Sequence, residues 1–486
     1  MMSESATVFK NLIAGEWTDS VSGKTFANIN PADTRDVVGH FQSSVTADAR
    51  AAIHAASAAF APWRRTPVSA RARIVNKAAD WLEARADAFA VELTREEGKP
   101  LAQSRDEILR SAQVLRFYAV EAQTFTGETF PGDDPDQQVF TQREPLGVVT
   151  VITPWNFPIS IPARKIAPAL MAGNTVIFKP SSDAPLIGYR LAEAFAQAGI
   201  PAGVLNYVTG RASDVGAAIT ESPAVRAISF TGSTSAGEHI HRSVPMTTRT
   251  QMELGGKNPL IVMEDADLDR AVDLAIKGGL SLSGQACTGT SRLLVMEPVR
   301  RTFTEKLVAR VKSLKIGSGV TPGMDLGPLA NRSQLDTVLD YVASGKAQST
   351  HLIGGDRLTT DGFEHGYYVT PAVFTDVPES ARIYREEIFG PVLAIVAVTS
   401  YDDAIARAND TEYGLSAAIA TSNPRYMHRF ADDIEAGTVK INRTTTGNVI
   451  NAPFGGLKRS STSTFRESGR AGLEFYTQIK TVYRGL

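Results

Sequence analysis

Cysteine is nearly missing from this chain, with Cys287 the single one in 486 residues. That excludes an intrachain disulfide and any zinc or iron-sulfur centre built on several thiolates, and it favours a reducing compartment. No run approaches the roughly eighteen apolar residues that a membrane-spanning helix needs, so no membrane partner is expected. The opening stretch MMSESATVFKNLIAGEW has no basic-then-apolar signal pattern, and the chain reads as cytoplasmic. An excess of one charge is lacking too, because 50 Lys plus Arg face 52 Asp plus Glu for a formal net charge of -2. Without a basic field no nucleic-acid partner is expected, and polar recognition is left to local pockets.

What is present is a globular balance, with 43% hydrophobic and 21% charged residues, Gly 39 and Pro 25. Disorder and collagen-like structure are excluded, and the length implies roughly three structural units. From Thr46 the segment TADARAAIHAASAAF carries apolar residues at helical spacing behind a Thr cap, and SARARIVNKAADWLEARADAFAVELTREEGK continues with two more amphipathic helices. The first 125 residues therefore read as helix-rich. A Gly/Pro/Asp cluster, GETFPGDDPD, precedes two strand-like runs, QQVFTQR and GVVTVIT, and that segment reads as an extended arm. Strands and helices alternate between Val148 and Met263, which predicts an α/β fold with a parallel, doubly wound sheet. From DADLDRAVDLAIKGG onward the pattern repeats, consistent with a second α/β unit.

Several clusters carry chemistry. Cys287 lies in Ser283-Gly284-Gln285-Ala286-Cys287-Thr288-Gly289, where flanking glycines let the backbone bend and present the sulfur; a lone Cys is otherwise a small buried hydrophobe. Glu253 ends a strand-like run in Met252-Glu253-Leu254-Gly255-Gly256, and apolar surroundings there would raise its pKa toward base duty; the alternative is a surface glutamate near a turn. Asn156, in Pro154-Trp155-Asn156-Phe157-Pro158, follows a strand's carboxyl end, where open α/β sheets gather ligands, so its amide can serve an oxyanion or simply form a turn. Phe230-Thr231-Gly232-Ser233-Thr234 closes a strand and opens a helix, a place for a pyrophosphate or for plain capping. Lys179-Pro180-Ser181-Ser182 ends another strand and suits a ribose, a phosphate or a solvated turn. His239 and His241 stand two apart in a helix-like run, cannot share one metal from a regular helix face, and read as surface residues; no metal site is expected.

Together these clusters resemble the NAD(P)-dependent aldehyde dehydrogenase superfamily, from Ile13-Ala14-Gly15-Glu16-Trp17 to Tyr476-Thr477-Gln478-Ile479. Glu387-Ile388-Phe389-Gly390-Pro391 and Asn451-Ala452-Pro453-Phe454-Gly455-Gly456 complete six motifs that match in order and spacing. The resemblance implies a Rossmann-like cofactor domain (1-125 and 144-254), an α/β catalytic domain (255-465) and a β-arm (126-143 and 466-486) that joins subunits of a homodimer or homotetramer. It implies Cys287 as nucleophile, Asn156 as oxyanion donor, Glu253 as the base for thioester hydrolysis and Lys165 as an aid to the proton relay. For the cofactor it implies Lys179 at the adenosine ribose, Gly232 and Ser233 at the pyrophosphate, and Glu387 with Phe389 at the nicotinamide. Thr153, Pro154, Trp155, Ser181, Gly210, Phe230 and Leu254 complete that expected set.

Ser182 stands where NAD-preferring relatives commonly carry Glu, so NADP is the expected cofactor, with NAD as the alternative. Arg164 matches a carboxylate-binding position of succinic-semialdehyde dehydrogenases, and Arg443 with Thr444 lies on a loop lining the same mouth in the family; Phe157, Ala286 and Thr288 complete the expected substrate wall. Each arginine, taken alone, is equally open to a structural role. The segment NRTTTG and the tail KRSSTSTFRE look most like the α-ketoglutaric-semialdehyde branch, although serines replace two glycines and two extra residues precede Arg466. A second arginine used by some succinic-semialdehyde enzymes is replaced by Ser281. The expected activity is oxidation of a small anionic semialdehyde, α-ketoglutaric or succinic, to the acid. A sulfonated aldehyde such as sulfolactaldehyde, a broad aldehyde range and a non-catalytic cofactor-binding scaffold are the alternatives.

Overall fold

A computed structural model describes residues 7–485. Residues 1–6 and Leu486, placed from sequence in the first domain and the arm, lie outside the described residues.

The alternation after Val148 builds a seven-stranded sheet in the order Arg249–Glu253, Val225–Thr231, Val148–Ile152, Thr175–Lys179, Leu205–Tyr207, Asn11–Ile13, Glu16–Thr18. The first five strands run parallel, and the last two close the edge antiparallel. Val148–Ile152 is central, and the chain leaves it first toward Thr175–Lys179 and later returns on its other side as Val225–Thr231. The strand order reverses there, so a crevice opens at the carboxyl end of Val148–Ile152, where Thr153 to Phe157 follow. The α/β expectation holds.

A second seven-stranded sheet runs Thr350–Ile353, Ala372–Thr375, Val392–Val398, Thr290–Met296, Asn258–Val262, Ser416–Ala420, Thr438–Ile441, parallel except for Thr350–Ile353 at its edge. Its central strands are buried on both faces, which explains their unbroken apolar runs such as Val392-Leu393-Ala394-Ile395-Val396. Thr477–Gly485 pairs antiparallel along Gln137–Pro145, with Thr129–Phe130 beyond it, in a separate three-stranded ribbon. Leu473, Phe475 and Tyr476 are buried in the first unit's core, so the stretch just before Thr477, placed with the arm from sequence, packs with the first seven-stranded sheet.

Two local expectations change. The first helix spans Thr46–Arg65, but its cap position is Val45 rather than Thr46: Asp48 Oδ2 accepts the Val45 N–H at 2.9 Å, which is half of a capping box. The helix-rich start also holds five short strands between Val8 and Gln42 before the helices Thr46–Arg65, Val68–Glu83, Ala86–Glu97 and Leu101–Glu121 begin. Strands of two to six residues carry too little periodicity to show in sequence, and they exist here because longer-range partners pair with them.

One contact sets the site's geometry. Glu107, on Leu101–Glu121, accepts the N–H groups of Ile159 at 3.2 Å and Ser160 at 3.1 Å. A carboxylate thereby caps the first turn of helix Ser160–Ala172, satisfying orphan donors and complementing the helix dipole. The two helices are pinned together at the floor of the crevice.

Candidate active site

The residues before Cys287 take an unusual path. Leu282, Ser283 and Gly284 all have positive φ, of 57°, 52° and 74°, a left-handed turn that is costly for the two non-glycine residues. Gly284 is required as glycine, because a Cβ there would lie 2.2 Å from the Gly390 carbonyl oxygen. The turn is held by Ser283 Oγ donating to Gly327 O at 2.8 Å and by Ala330 N donating to Gln285 Oε1 at 2.9 Å. Asn156 Nδ2 adds a bond to Gln285 O at 3.0 Å. An amide nitrogen has two hydrogens, so Asn156 both anchors the Cys287 loop and keeps a second donor beside it.

Cys287 stands between two cavities. The first, of about 370 Å³, is lined by Phe157, Arg164, Ala286, Thr288, Glu253 and Phe454 among others; the second, of about 280 Å³, by Pro154, Trp155, Asn156, Gly232, Ser233, Glu387 and Phe389 among others. Cys287, Thr231 and Leu254 belong to both walls. A carbon held at the thiol from the first cavity is thus open to a second reactant from the other side. Burial, with the Glu387 and Glu253 carboxylates nearby, pushes the Cys287 thiol up to about 12. The free protein holds it protonated at neutral pH, so a base must take the proton.

Glu253 fits that need. It is buried, neither carboxylate oxygen has a hydrogen-bond partner, and its carboxyl sits well above the usual range because of burial first and the Glu467 charge second. Gly455 makes room for it, since a Cβ there would come within 2.9 Å of Glu253 Oε1. Two tail serines form the shelf beneath: Leu254 N donates to Ser460 O at 3.0 Å, Ser460 Oγ donates to Gly255 O at 2.6 Å, and Ser461 bridges Glu253. Behind Glu253, Lys165 is fully buried, 2.6 Å from Glu467 Oε2, and donates to Ser229 Oγ at 2.9 Å. Sequence reasoning passed over Glu467, which stood in view beside Arg466 in the tail.

The cofactor-side residues fall into two groups. Pro154, Trp155, Gly232, Ser233, Leu254, Glu387 and Phe389 line the second cavity. Trp155 meets Phe389 edge to face at 5.3 Å, and Glu387 Oε1 accepts the Gly256 N–H at 2.9 Å while burial pushes its carboxyl up to about 7. Thr153 and Phe230 are buried behind that wall. Lys179, Ser181, Ser182 and Gly210 gather at neighbouring strand ends, where Ser182 Oγ donates to Gly210 O at 3.1 Å and Lys179 Nζ donates to Pro180 O at 3.1 Å. Burial lowers Lys179 to about 8. Thr231 Oγ1, on the wall of both cavities, is buried without a partner. A ligand with hydroxyl and phosphate groups suits this polar set, so the residues present fit a nicotinamide dinucleotide.

Arg443 and Thr444 do not line the first cavity. Asn442 has a φ of 53° and is tied to Thr421 through its side chain, Thr445 is buried against Thr290, and Arg443 between them is turned to solvent. Thr444 Oγ1 instead donates to Thr446 O at 2.9 Å. Thr446, Gly447 and Asn448 of the same loop line the cavity in their place. A further group of lining residues that sequence reasoning did not reach lies on Leu101–Glu121 or just before it: Lys99, Gln103, Asp106, Glu107 and Arg110. Their helix carries no motif, and only its packing against Ser160–Ala172 brings them to the site. His239 and His241 are exposed.

Residues 17–482 match the profile described as the Aldehyde dehydrogenase family. The chain is 43% identical over 477 residues to an alpha-ketoglutaric semialdehyde dehydrogenase of Bacillus subtilis (strain 168), covering 98% of each chain. Among solved structures it superimposes on an NADP dependent enzyme of E. coli with a TM-score of 0.94 at 36% identity, covering 99% of this chain and 98% of that one. It superimposes equally on an NAD-dependent aldehyde dehydrogenase of Sinorhizobium meliloti, with a TM-score of 0.95 at 36% identity, covering 99% and 95%.

Proposed function

We propose that this chain, which belongs to the aldehyde dehydrogenase family, oxidises a short anionic semialdehyde to its acid, α-ketoglutaric semialdehyde foremost and succinic semialdehyde next, with NADP preferred over NAD. It is an NAD(P)-dependent aldehyde dehydrogenase. The observation that carries the substrate is Arg164, which lines the cavity with its Nε buried and unpartnered, together with the semialdehyde named for the Bacillus relative.

The steps balance as aldehyde plus oxidised cofactor plus water giving acid, reduced cofactor and a proton. Glu253 takes the Cys287 proton, and the thiolate adds to the aldehyde carbon to give a thiohemiacetal. The second Asn156 amide hydrogen and the Cys287 main-chain N–H face the oxygen that becomes charged. The nicotinamide, when bound, supplies a hydride acceptor. Lys179, Gly232, Ser233, Glu387 and Phe389 would hold the dinucleotide. Glu253 passes the first proton to the Lys165–Glu467 pair behind it and, as a carboxylate again, removes a proton from the water that opens the Cys287 thioester and frees the thiolate.

Ser182 carries the cofactor preference, because a hydroxyl there tolerates a 2′-phosphate that a carboxylate would repel. Ser182→Glu is expected to raise the KM for NADP at least tenfold while leaving that for NAD within about threefold, since like charges brought together cost several kcal/mol. Parallel initial-rate titrations of both cofactors check this. The ribbon exposes Phe130, Ile479 and Tyr483, apolar side chains that suit pairing with another subunit in a homodimer or homotetramer. The single reduced thiol suits a cytoplasmic enzyme.

The test is initial-rate reduction of NADP and NAD with α-ketoglutaric semialdehyde, succinic semialdehyde, sulfolactaldehyde and the neutral aldehyde pentanal. The expected result is a kcat/KM for the two carboxylated substrates at least tenfold above that for pentanal. Equal or better turnover of pentanal would overturn the substrate assignment, and a preference for sulfolactaldehyde would move it to the sulfonate.

A further inference from the structure

We infer that Arg110 is the second arm of an anion clamp whose first arm is Arg164, the two guanidiniums together taking the carboxylate of the substrate; this rests on the semialdehyde reading above. The clamp needs two cations, and the sequence offers no second one where expected: Arg443 is turned to solvent, and Ser281 on the cavity wall carries no charge. Arg110 lines the same cavity as Arg164 from the opposite helix.

The pinning contact explains why the two converge. Glu107 holds the main-chain N–H of Ser160, Arg110 lies three residues beyond Glu107 on one helix, and Arg164 lies four residues beyond Ser160 on the other. Each arginine is therefore about one turn from the same fixed point, and residues three or four apart share a helix face. Arg164 also bears electrostatically on Arg110, which burial and that neighbouring charge together make a weaker base.

The donors on this wall divide clearly. Lys99 is engaged, donating to Glu107 Oε2 at 2.6 Å and to the Asn156 main-chain oxygen at 2.6 Å. Arg164 Nη2 donates to Ser160 Oγ at 2.9 Å, and Nη1 stands 3.8 Å from Glu467. Arg110 Nη2 donates to the Asn448 main-chain oxygen, which fixes it beside the loop of Thr446, Gly447 and Asn448. Among the described residues no carboxylate forms an ion pair with Arg110, whose polar partner is the Asn448 oxygen, although the exposed Asp106 one turn earlier lines the same wall. Two guanidiniums held near one another with donors to spare form a site that a carboxylate completes, and a planar fork matches its two oxygens.

The experiment compares wild type, Arg110→Met and Arg110→Lys as full chains with saturating NADP, using α-ketoglutaric semialdehyde against pentanal and checking each melting temperature. Arg110→Met is expected to raise the KM for the semialdehyde 10- to 100-fold and to leave kcat/KM for pentanal within about threefold. Arg110→Lys, which keeps the charge and a donor for Asn448, is expected to lose less than the methionine variant, still on the semialdehyde alone. It carries the test if Arg110→Met does not fold. Equal losses on both aldehydes would show that Arg110 only holds the Asn448 loop, and no loss on either would place the carboxylate elsewhere; either result overturns the clamp. A wild-type preference for pentanal would overturn the semialdehyde reading itself, a failure read before any variant is made.

Discussion

Cys287→Ala is expected to lower aldehyde oxidation by about ten-thousand-fold or more, because in the proposed covalent route it removes the atom that bonds the aldehyde carbon. Losses of that order follow when the nucleophile of a covalent mechanism is deleted. The same change is expected to leave the Kd for NADP within about threefold, since the thiol is only one point on the cofactor-side wall and the left-handed turn before it is held by Ser283, Gln285 and Ala330. Steady-state rates and cofactor titration by fluorescence read the two effects separately. Retained oxidation would mean that another group carries the carbon.

The pH dependence of the thiol follows from its surroundings. Burial and the Glu387 and Glu253 carboxylates stabilise the protonated form, pushing Cys287 up to about 12. A thiol raised this far becomes more reactive as pH rises and reaches no plateau below it. Alkylation by iodoacetamide in the cofactor-free protein is therefore expected to accelerate about tenfold per pH unit between pH 7 and pH 9. A plateau near neutrality would contradict the assignment of Cys287 as a thiol held protonated by its neighbours.

Glu253→Gln is expected to cut steady-state turnover by between about a hundredfold and ten-thousandfold, the range for removing a positioned general base. Glutamine keeps the shape and the neighbours of Glu253, so the Gly455 and Ser461 contacts are retained. Water attack on the thioester then becomes the slowest step. Stopped-flow absorbance should show a first turnover that outruns the steady state, with up to one reduced cofactor formed per subunit. If instead the first turnover slows as much as the rest, Glu253 acts chiefly in deprotonating Cys287 rather than in hydrolysis.

Much of this was legible in the sequence where a residue's role depends on its own neighbours. Cys287 stood out because Gly284 and Gly289 bracket it, and Asn156 because it follows the carboxyl end of a strand-like run. Glu253 stood out because glycines and apolar residues surround it. What was not legible depends on distant packing. Arg110 and Lys99 enter the cavity only because Glu107 pins their segment to the start of Ser160–Ala172, a contact between residues more than fifty positions apart that no local pattern encodes. Arg443 went the other way. Its loop position is right, but the positive φ at Asn442 and the buried Thr445 turn its side chain outward, and neither constraint can be read from NRTTTG. The five strands before Thr46 were missed for the related reason that each is too short to have a period of its own.

The covalent route requires the aldehyde carbon to become bonded to Cys287 on its way to the acid. Its most direct test is peptide mass mapping of Glu253→Gln after brief reaction with α-ketoglutaric semialdehyde and NADP followed by acid quench. An acyl adduct is expected on the peptide holding Cys287, formed only with cofactor present and discharged slowly. Reduced cofactor produced with no adduct on that peptide, or an adduct on another residue, would contradict it.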